Sequence, residues 1–557
     1  MLTFPRFEPH FAREHWTLPA VLGHHAATTP DAPFFSWTDD NPALTFAGID
    51  ELSNRIANGL AARGIKSGDR VAMFLPNCEY FLAIWFALAK LGAVEVPIAD
   101  TSKGDFLRHQ LAITTPRLVL TTPELTHRLA EVADVVAPID VILVAAGGDD
   151  PEPSANHMLN LAAFTDLLQG DPTPPNVDVR PQDLSTILFT SGTTGPSKGV
   201  LMSHAQMYFF AEECVQMTRL ASSDVYMTSF PLIHGNAQIL TVYAALIAGA
   251  QCVVYPRFSA SDWSRRVRAS GATVTNTLGA TMSFICAQPA DAEDGNNALR
   301  CVYAAPLAPD LEPVFSARFG KVDYVNAFGQ TEISLPFVTP PGVPVPQGAV
   351  GVLVDQWFDV LLADPETDEP VAPGEVGELL VRPKVPNIIC SGYSGMPEKT
   401  VEAWRNLWFH TGDAMRRDDE GWYYFVDRVK DALRRRGENI SSFEVESVVR
   451  SHPAVDECAV VAAPAEEEGG EDEVKVCVVV GDGADFQPAD LIAWCDARMP
   501  YFMVPRYIEV LESLPRTVSE KVQKKLLRER GVTPQTWDRV AEKCLLAREV
   551  QANARLA

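Results

Sequence analysis

Helical and strand-like segments alternate along the first two thirds of the chain, and this alternation limits the folds open to it. The amphipathic segment 51–65 precedes a short apolar run at 69–76, and the apolar segment 81–92 precedes a second run at 93–98. Each helical segment is long enough to cross back over a sheet before the next strand begins. The pattern therefore predicts parallel-rich sheets covered by helices.

The 557 residues are also too many for one hydrophobic core and imply about three to four domain-sized units. Segment 170–183, rich in Pro and Asp, is typical of a loop, and the Pro/Gly-rich segment 339–353 introduces the short strands of a small β-subdomain. A compact α+β unit follows, whose acidic run 465–473 we interpret as a solvated hairpin tip. We expect an α/β fold with two parallel-rich sheets and the β-subdomain in residues 1–429, and a smaller α+β domain in residues 430–557.

Charge and cysteine usage exclude several classes of function. The chain has 72 acidic and 46 basic residues, a formal net charge of −26, which argues against a nucleic-acid partner. Its ten Cys are scattered singly, so neither a zinc site nor a disulfide framework is indicated. Residues 1–16 do not resemble a signal peptide, and Lys90, Glu95 and Gly249 interrupt the two long apolar stretches. We therefore expect a cytoplasmic protein without stable membrane insertion.

The segment Leu-Phe-Thr-Ser-Gly-Thr-Thr-Gly-Pro-Ser-Lys-Gly-Val, 188–200, is the most unusual local composition in the chain. Gly192, Gly195 and Gly199 allow the backbone to approach a ligand closely, and the hydroxyls and Lys198 can surround phosphate oxygens. The spacing is not that of a Walker P-loop. The segment predicts a phosphate-binding loop, with a flexible surface loop as the alternative.

Four further motifs follow in order. They are Asn-Ala-Phe-Gly-Gln-Thr-Glu at 326–332, Trp-Phe-His-Thr-Gly-Asp at 408–413, a basic segment at 426–446 and a Lys-rich segment at 514–528. Together with the loop at 188–200, the set resembles the adenylate-forming superfamily of acyl-CoA synthetases, peptide-synthetase adenylation domains and luciferases. The resemblance covers about residues 20 to 530 and is greatest to the bacterial crotonobetaine/carnitine-CoA ligase-like branch.

The resemblance implies a ligase that uses ATP, Mg²⁺ and coenzyme A. A carboxylate would attack the α-phosphorus of ATP, and the thiol of coenzyme A would then displace AMP from the acyl-adenylate. Transfer to the pantetheine arm of a carrier protein is the main alternative. A luciferase-like oxygenase and an inactive binding module are the others. Relatives are commonly homodimers, but the sequence does not decide the oligomeric state.

The resemblance also implies the nucleotide site. Thr331 would contact the α-phosphate, Glu332 would bind Mg²⁺, and Asp413 with Arg428 would hold the ribose. Phe328 would pack against adenine, opposite a segment that reads Ala-Ala-Pro where the family commonly has Gly-Ala-Pro. The remaining expected nucleotide-binding residues are Thr190, Ser191, Gly192, Thr193, Thr194, Gly195, Lys198, Ala304, Ala305, Pro306, Asn326, Ala327, Gly329 and Gln330.

For the chemical steps, the resemblance implies that Lys521 bridges the carboxylate and the α-phosphate, although Glu520 replaces the usual Gly before it. The C-terminal domain would be mobile and rotate about Lys430, which replaces Lys521 with the segment around Gly437. His234 would gate the thiol tunnel. The coenzyme A phosphates would meet Arg434, Arg435 and Arg436 beside Gly437. The expected acid pocket consists of His234, Asn236, Gln238, Thr277, Leu278, Gly279, Met282 and Gly329.

Overall fold

The computed structural model describes most of the chain, and its α/β layering follows the alternation in the sequence. The described residues are 2–136, 140–144, 159–190, 197–305, 311–429, 433–435, 438–440, 442–463, 472–481, 483, 485–499, 503–516 and 522–544. Within them, no helix is long and apolar enough to cross a membrane.

The first sheet has seven strands, of which only the last runs antiparallel to its neighbour. In spatial order the strands are Asn160–Ala163, Asp140–Leu143, Leu118–Thr121, Arg70–Phe74, Val94–Ile98, Leu184–Thr190 and Lys198–Ser203. The helices in this part of the chain are Phe46–Ala62, Phe81–Lys90, Gly104–Thr114, Pro123–Leu125, Thr126–Glu131, Ala133–Val136 and Thr165–Leu168.

The second sheet also has seven strands, parallel except for a short edge strand. Its order is Asp323–Val325, Cys301–Ala304, Val274–Thr277, Val225–Thr228, Gln251–Val254, Pro33–Trp37 and Leu44–Thr45. The accompanying helices are Arg13–His15, Leu18–Thr28, His204–Thr218, Gly235–Ala237, Gln238–Tyr243, Ala244–Ala248, Trp263–Ser270, Gly279–Ala287 and Glu312–Phe319. Gly249 ends a helix with φ +69°, as expected.

Two helices, Phe81–Lys90 and His204–Thr218, are buried along nearly their whole length. They belong to a core that takes side chains from all three sheets of the N-terminal portion, including Met73, Tyr226 and Phe337. Alternate residues of the first sheet, such as Phe74, face a separate core on its other side. Burial of both faces explains why these strands read as continuous apolar runs.

The third sheet is antiparallel and corresponds to the expected β-subdomain. Its strands, in order, are Ala327–Gln330, Ser334–Val338, Ala349–Leu353, Trp422–Arg428, Trp408–Arg417, Gly377–Pro383 and Phe358–Ala363, with Trp404–Arg405 beside Trp408–Arg417. Helix Pro397–Ala403 leads into Trp404–Arg405. The fold class predicted from the sequence is thus confirmed for the N-terminal portion.

The C-terminal portion has its own hydrophobic cores, whose buried residues all come after residue 432. Its strands are Leu433–Arg435, Glu438–Ile440, Val455–Ala463, Glu473–Val480, Tyr507–Val510 and Trp537–Asp538, and its helices are Ser442–Arg450, Pro488–Asp496 and Lys524–Arg530. Asp427 of the third sheet accepts a hydrogen bond from the amide of Ser442 at 2.7 Å, at the start of helix Ser442–Arg450. The expected hairpin tip falls mostly on residues 464–471, outside the described residues.

Candidate active site

One cavity of about 2400 Å³ lies where the three sheets of the N-terminal portion meet, and most of the expected site residues that the structure describes line it. Their positions in the fold explain the convergence, because ligands of open α/β sheets bind beyond the carboxyl ends of the parallel strands. The expected residues in the wall are Thr190, Lys198, His234, Asn236, Leu278, Ala305, Asn326, Ala327, Phe328, Gly329, Gln330, Thr331, Glu332, Asp413 and Arg428.

The stems of the expected phosphate loop are the ends of two hydrogen-bonded strands. Thr190 and Lys198, which flank the expected loop, are paired across the antiparallel strands Leu184–Thr190 and Lys198–Ser203. The loop residues themselves, Ser191, Gly192, Thr193, Thr194 and Gly195, lie outside the described residues.

Lys198 and Glu332 are linked through the phenol of Tyr393. The ammonium of Lys198 donates to the Tyr393 hydroxyl at 3.0 Å, and that hydroxyl donates to Glu332 Oε1 at 3.0 Å. Burial lowers the pKa of Lys198, and the nearby Glu332 carboxylate acts in the opposite direction. The Lys198 ammonium and the Glu332 carboxylate are therefore held on either side of the Tyr393 hydroxyl, next to the expected phosphate loop.

Sequence reasoning missed Tyr393. The residues around it continue the edge of the first sheet, since Ser394 donates its amide to the Gly199 carbonyl at 2.8 Å and Tyr393 forms a bridge with Val200. A Cβ on Gly199 would lie 2.8 Å from the Ile187 side chain on the neighbouring strand, so glycine favours the close packing of these two strands. The only local signal was the Gly-flanked Tyr in Ser-Gly-Tyr-Ser-Gly, 391–395.

Asp413, Arg428 and Gln330 form a polar cluster on the third sheet. Asp413 and Arg428 are cross-strand partners, and Arg428 Nε lies 2.7 Å from Asp413 Oδ1. Gln330 Nε2 donates to Asp413 Oδ2 at 2.5 Å and to the Thr411 carbonyl at 3.1 Å. The carboxylate is buried, and its two oxygens are oriented by neighbours on either side. Such a fixed acceptor pair suits a vicinal diol.

Three phenylalanines form a ladder along the cavity. The rings of Phe328 and Phe425 are stacked with centroids 5.9 Å apart, and Phe443 meets Phe425 edge-on at 6.4 Å. Phe443 belongs to the first helix of the C-terminal portion and is 46% exposed. The ladder provides flat apolar surfaces of the kind on which a nucleobase packs.

Gly329 lies in the wall, but the reason for glycine differs from the expectation. As a member of the expected acid pocket, Gly329 was expected to leave room for the side chain of the acid. A Cβ at this position would instead lie 1.9 Å from the carbonyl oxygen of Ser334, across the hairpin of the third sheet. The hairpin backbone, rather than the width of the pocket, therefore requires glycine here.

His234 and Asn236 lie on the loop that follows strand Val225–Thr228, next to the loop that follows strand Val274–Thr277. Asn276 Nδ2 donates to Asn236 Oδ1 and, at 2.9 Å, to Thr241 Oγ1. These hydrogen bonds hold the segment after strand Val225–Thr228 against the end of strand Val274–Thr277, at the carboxyl edge of the second sheet.

Several expected acid-pocket residues do not face this cavity. Gln238, Thr277 and Met282 are buried elsewhere, with at most 1% of each exposed, and Gly279 begins a helix without lining the cavity. In this segment Leu278, Thr281 and Phe284 supply the wall instead. The nucleotide residue Ala304 is likewise buried behind Ala305.

The remaining expectations cannot be placed against the cavity. Arg434 and Arg435 lie in strand Leu433–Arg435. Outside the described residues lie Pro306, Lys430, Arg436, Gly437 and Lys521.

The fold and the site define an enzyme that binds a nucleotide between a glycine-rich loop and an antiparallel subdomain. Residues 22–393 match the AMP-binding enzyme family, and residues 444–521 match the AMP-binding enzyme C-terminal domain. The chain belongs to this family, as its motifs implied.

The relatives agree with that assignment. The chain is 31% identical to the crotonobetaine/carnitine-CoA ligase of Citrobacter koseri and 30% identical to that of Salmonella typhimurium, with 87% of this chain and 93% of each relative covered.

Among solved structures, ATP-bound MatB from Rhodopseudomonas palustris has a TM-score of 0.81 at 25% identity, covering 92% of this chain and 98% of that one. An anthranilate CoA ligase in complex with anthranoyl-AMP shares the fold, with a TM-score of 0.83 at 22% identity, covering 93% and 98%. The prediction of an AMP-forming acid–thiol ligase is confirmed.

Proposed function

We propose that this ligase joins coenzyme A to a carboxylic acid whose body is apolar and uncharged. The observation that carries the proposal is the composition of the two segments that follow strands Val225–Thr228 and Val274–Thr277. Segments 229–237 and 277–288 contain no Asp, Glu, Lys or Arg. They turn Phe230, Ile233, Leu278 and Phe284 into the cavity, beside the amide of Asn236. A second carboxylate or an ammonium on the acid would lose its hydration against these two segments, which offer it no side chain of opposite charge.

In the adenylation step, charge builds between the incoming carboxylate and the α-phosphate. Lys198 and the loop it follows are suited to hold the β- and γ-phosphates, and Thr331 to donate to the α-phosphate. Asp413, with Arg428 and Gln330, would accept from the ribose hydroxyls, while the adenine packs on Phe328. We assign the bridging cation to Lys521, as the family motif around it implies.

The residues present also fit Mg²⁺. Glu332 offers a carboxylate in the cavity wall, 6% exposed, with one oxygen hydrogen-bonded to Tyr393. Mg²⁺ is commonly held by one or two protein carboxylates together with substrate phosphates, and it would neutralise phosphate charge there. Glu332 would hold the ion, and Tyr393 would orient Glu332.

For thioester formation, we propose that residues 430–557 form a mobile domain that turns about Lys430. The separate hydrophobic cores of the C-terminal portion support this division. Gly437 would then approach the thiol tunnel beside His234, and Arg434, Arg435 and Arg436 would meet the coenzyme A phosphates. The proposal also includes the expected homodimer and cytoplasmic location.

The test is mass spectrometry of the enzyme with ATP, Mg²⁺, coenzyme A and five separate acids. We would use butyrate, 2-methylbutyrate, benzoate, cyclohexanecarboxylate and carnitine. The proposal expects thioester and AMP from at least one of the four uncharged-bodied acids, with a higher kcat/KM than carnitine. A preference for carnitine would refute the proposed substrate class, and adenylate without thioester would favour the carrier-protein alternative. Gel filtration of the same preparation tests the homodimer.

A further inference from the structure

Glu95 is a carboxyl group in the interior of the protein that none of the steps above uses. It lies in the interior strand Val94–Ile98 of the first sheet and is 0% exposed. Its oxygens accept from Gln238 Nε2 at 2.7 and 2.8 Å, and Thr186 Oγ1 donates to one of them at 3.1 Å. A carboxyl group is rarely buried this fully, and its partners indicate what it is held for.

Gln238 connects this carboxyl to the wall of the acid site. It is the first residue of the π-helical turn Gln238–Tyr243, and its backbone N–H donates to the His234 carbonyl at 3.0 Å. One turn later, Thr241 Oγ1 donates to the Asn236 carbonyl at 3.2 Å. His234 and Asn236, which are among the residues that face the cavity, are therefore hydrogen-bonded to the turn that Glu95 anchors. π-Helical turns are rare and often occur at functional sites.

We propose that Glu95 is a positioning residue for the acid: its carboxyl holds Gln238, and Gln238 fixes the loop that presents His234 and Asn236 to the substrate. The inference rests on the proposed function, because it takes this loop to be the wall of the acid site. Glu95 itself does not line the cavity. It acts only through Gln238, so that its loss should loosen acid binding and leave ATP binding intact.

The protonation of Glu95 supports this role. Burial raises its pKa to about 8, against the opposing effect of the hydrogen bonds from Gln238 and Thr186. Ionisation would place an unbalanced charge on this buried pair, because the described hydrogen-bond partners of Glu95 are the neutral side chains of Gln238 and Thr186. None of the titratable side chains on the described elements around it contributes to the shift; these are Arg70, Lys90, His204, Tyr208, Glu212, Glu213, Cys214 and Tyr243.

The test compares the KM for the acid with the KM for ATP in three variants, using the acid of the panel above that the wild type converts with the highest kcat/KM. Glu95→Leu and Gln238→Leu remove the hydrogen bonds. We expect each to raise the acid KM about tenfold or more while the ATP KM changes less than about twofold. Glu95→Gln keeps a neutral polar group and should have nearly the wild-type acid KM at pH 7.

The pH profile separates positioning from simple packing. As pH rises from 7 to 9, Glu95 ionises in the wild type and its acid KM should rise, whereas the acid KM of Glu95→Gln should stay constant. Glu212→Gln serves as the control, because Glu212 is equally buried but bonds to His10 and Tyr208 outside the cavity wall. It should change neither KM.

Three results would overturn the inference. The first is an unchanged acid KM in folded Glu95→Leu. The second is an equal rise of the acid KM and the ATP KM, either in Glu95→Leu or in the Glu212→Gln control. The third is that the wild type and Glu95→Gln have identical pH profiles of the acid KM. Should Glu95→Leu fail to fold, the pH profiles alone decide. Absence of thioester from the wild type with every acid would refute the proposed function instead, and is therefore a distinguishable failure.

Discussion

Replacing Glu95 by Gln should make the folded protein more stable, and increasingly so as pH rises. The carboxyl has its ordinary pKa of 4.5 in the unfolded chain, and burial raises the pKa to about 8 in the folded one. Between these values the folded state binds a proton that the unfolded state has released. Since stability falls with pH wherever the folded state binds more protons, the contribution of Glu95 is fully present below pH 4.5 and is lost as pH approaches 8.

The size of the effect follows from the two pKa values. Each pH unit well between the two pKa values is worth about 1.4 kcal/mol, so the wild type should lose about 3 kcal/mol between pH 4.5 and 7 and about 4 kcal/mol by pH 8. Gln cannot ionise and keeps a similar shape, so the variant should not show this slope. The free energy of unfolding of Glu95→Gln minus that of the wild type should therefore increase with pH over this interval.

Urea unfolding followed by tryptophan fluorescence at pH 5, 6, 7 and 8 measures this difference. Asp224→Asn is the control, because hydrogen bonds from Arg300 and Thr273 outweigh the opposing effect of burial and hold the pKa of Asp224 below its usual value. That carboxyl is ionised in both states above pH 5, so its replacement should cost a constant amount across the range. A Glu95→Gln difference that is flat from pH 5 to 8 would refute the reasoning, since it would mean that Glu95 is already charged in the folded protein.

Three further substitutions test the nucleotide site. Tyr393→Phe removes the hydroxyl between Lys198 and Glu332, and pyrophosphate–ATP exchange should show kcat/KM for ATP lower by roughly 10- to 100-fold with the acid KM unchanged; an unaltered exchange rate would contradict the link. Asp413→Asn should raise the KM for ATP about tenfold or more, because the ribose diol would lose a charged acceptor; an ATP KM equal to that of the wild type would show that Asp413 does not bind the ribose. Gly329→Ala should lower the melting temperature by several degrees, since its Cβ meets a backbone carbonyl at 1.9 Å, and thermal denaturation with and without ATP measures this; an unshifted transition would mean that the hairpin can yield.

The sequence was sufficient to predict the layers of the fold. Strands such as Val94–Ile98 are short apolar runs between helical segments, and local hydrophobic pattern alone distinguishes them. The residues expected at the nucleotide site, such as Asp413 and Gln330, come from contiguous motifs that resemble those of the family, and the structure brings these two side chains together. Both kinds of information are local in the chain.

What could not be predicted depends on long-range pairing or on the phase of a helix. Tyr393 reaches Lys198 only because its segment pairs with a strand some two hundred residues earlier in the chain, a register that one sequence does not reveal. Gln238 was expected in the acid pocket, but the π-helical turn that begins there directs its side chain to Glu95. The wider turn leaves no mark in the hydrophobic pattern.

The division of the site among three sheets has a consequence for specificity. The first sheet carries the strands that flank the expected phosphate loop, the third sheet supplies Asp413 and the aromatic surface, and the second sheet carries the two segments that we assign to the acid. The two segments assigned to the acid share no strand with the residues assigned to ATP. We therefore expect that substitutions in 229–237 or 277–288 change which acid the enzyme accepts without altering ATP binding. Glu95 is the exception, since it lies in the first sheet and acts on a loop of the second. A variant designed to accept a different acid with similar affinity should therefore keep both Glu95 and Gln238, and change only the cavity-facing residues of these two segments.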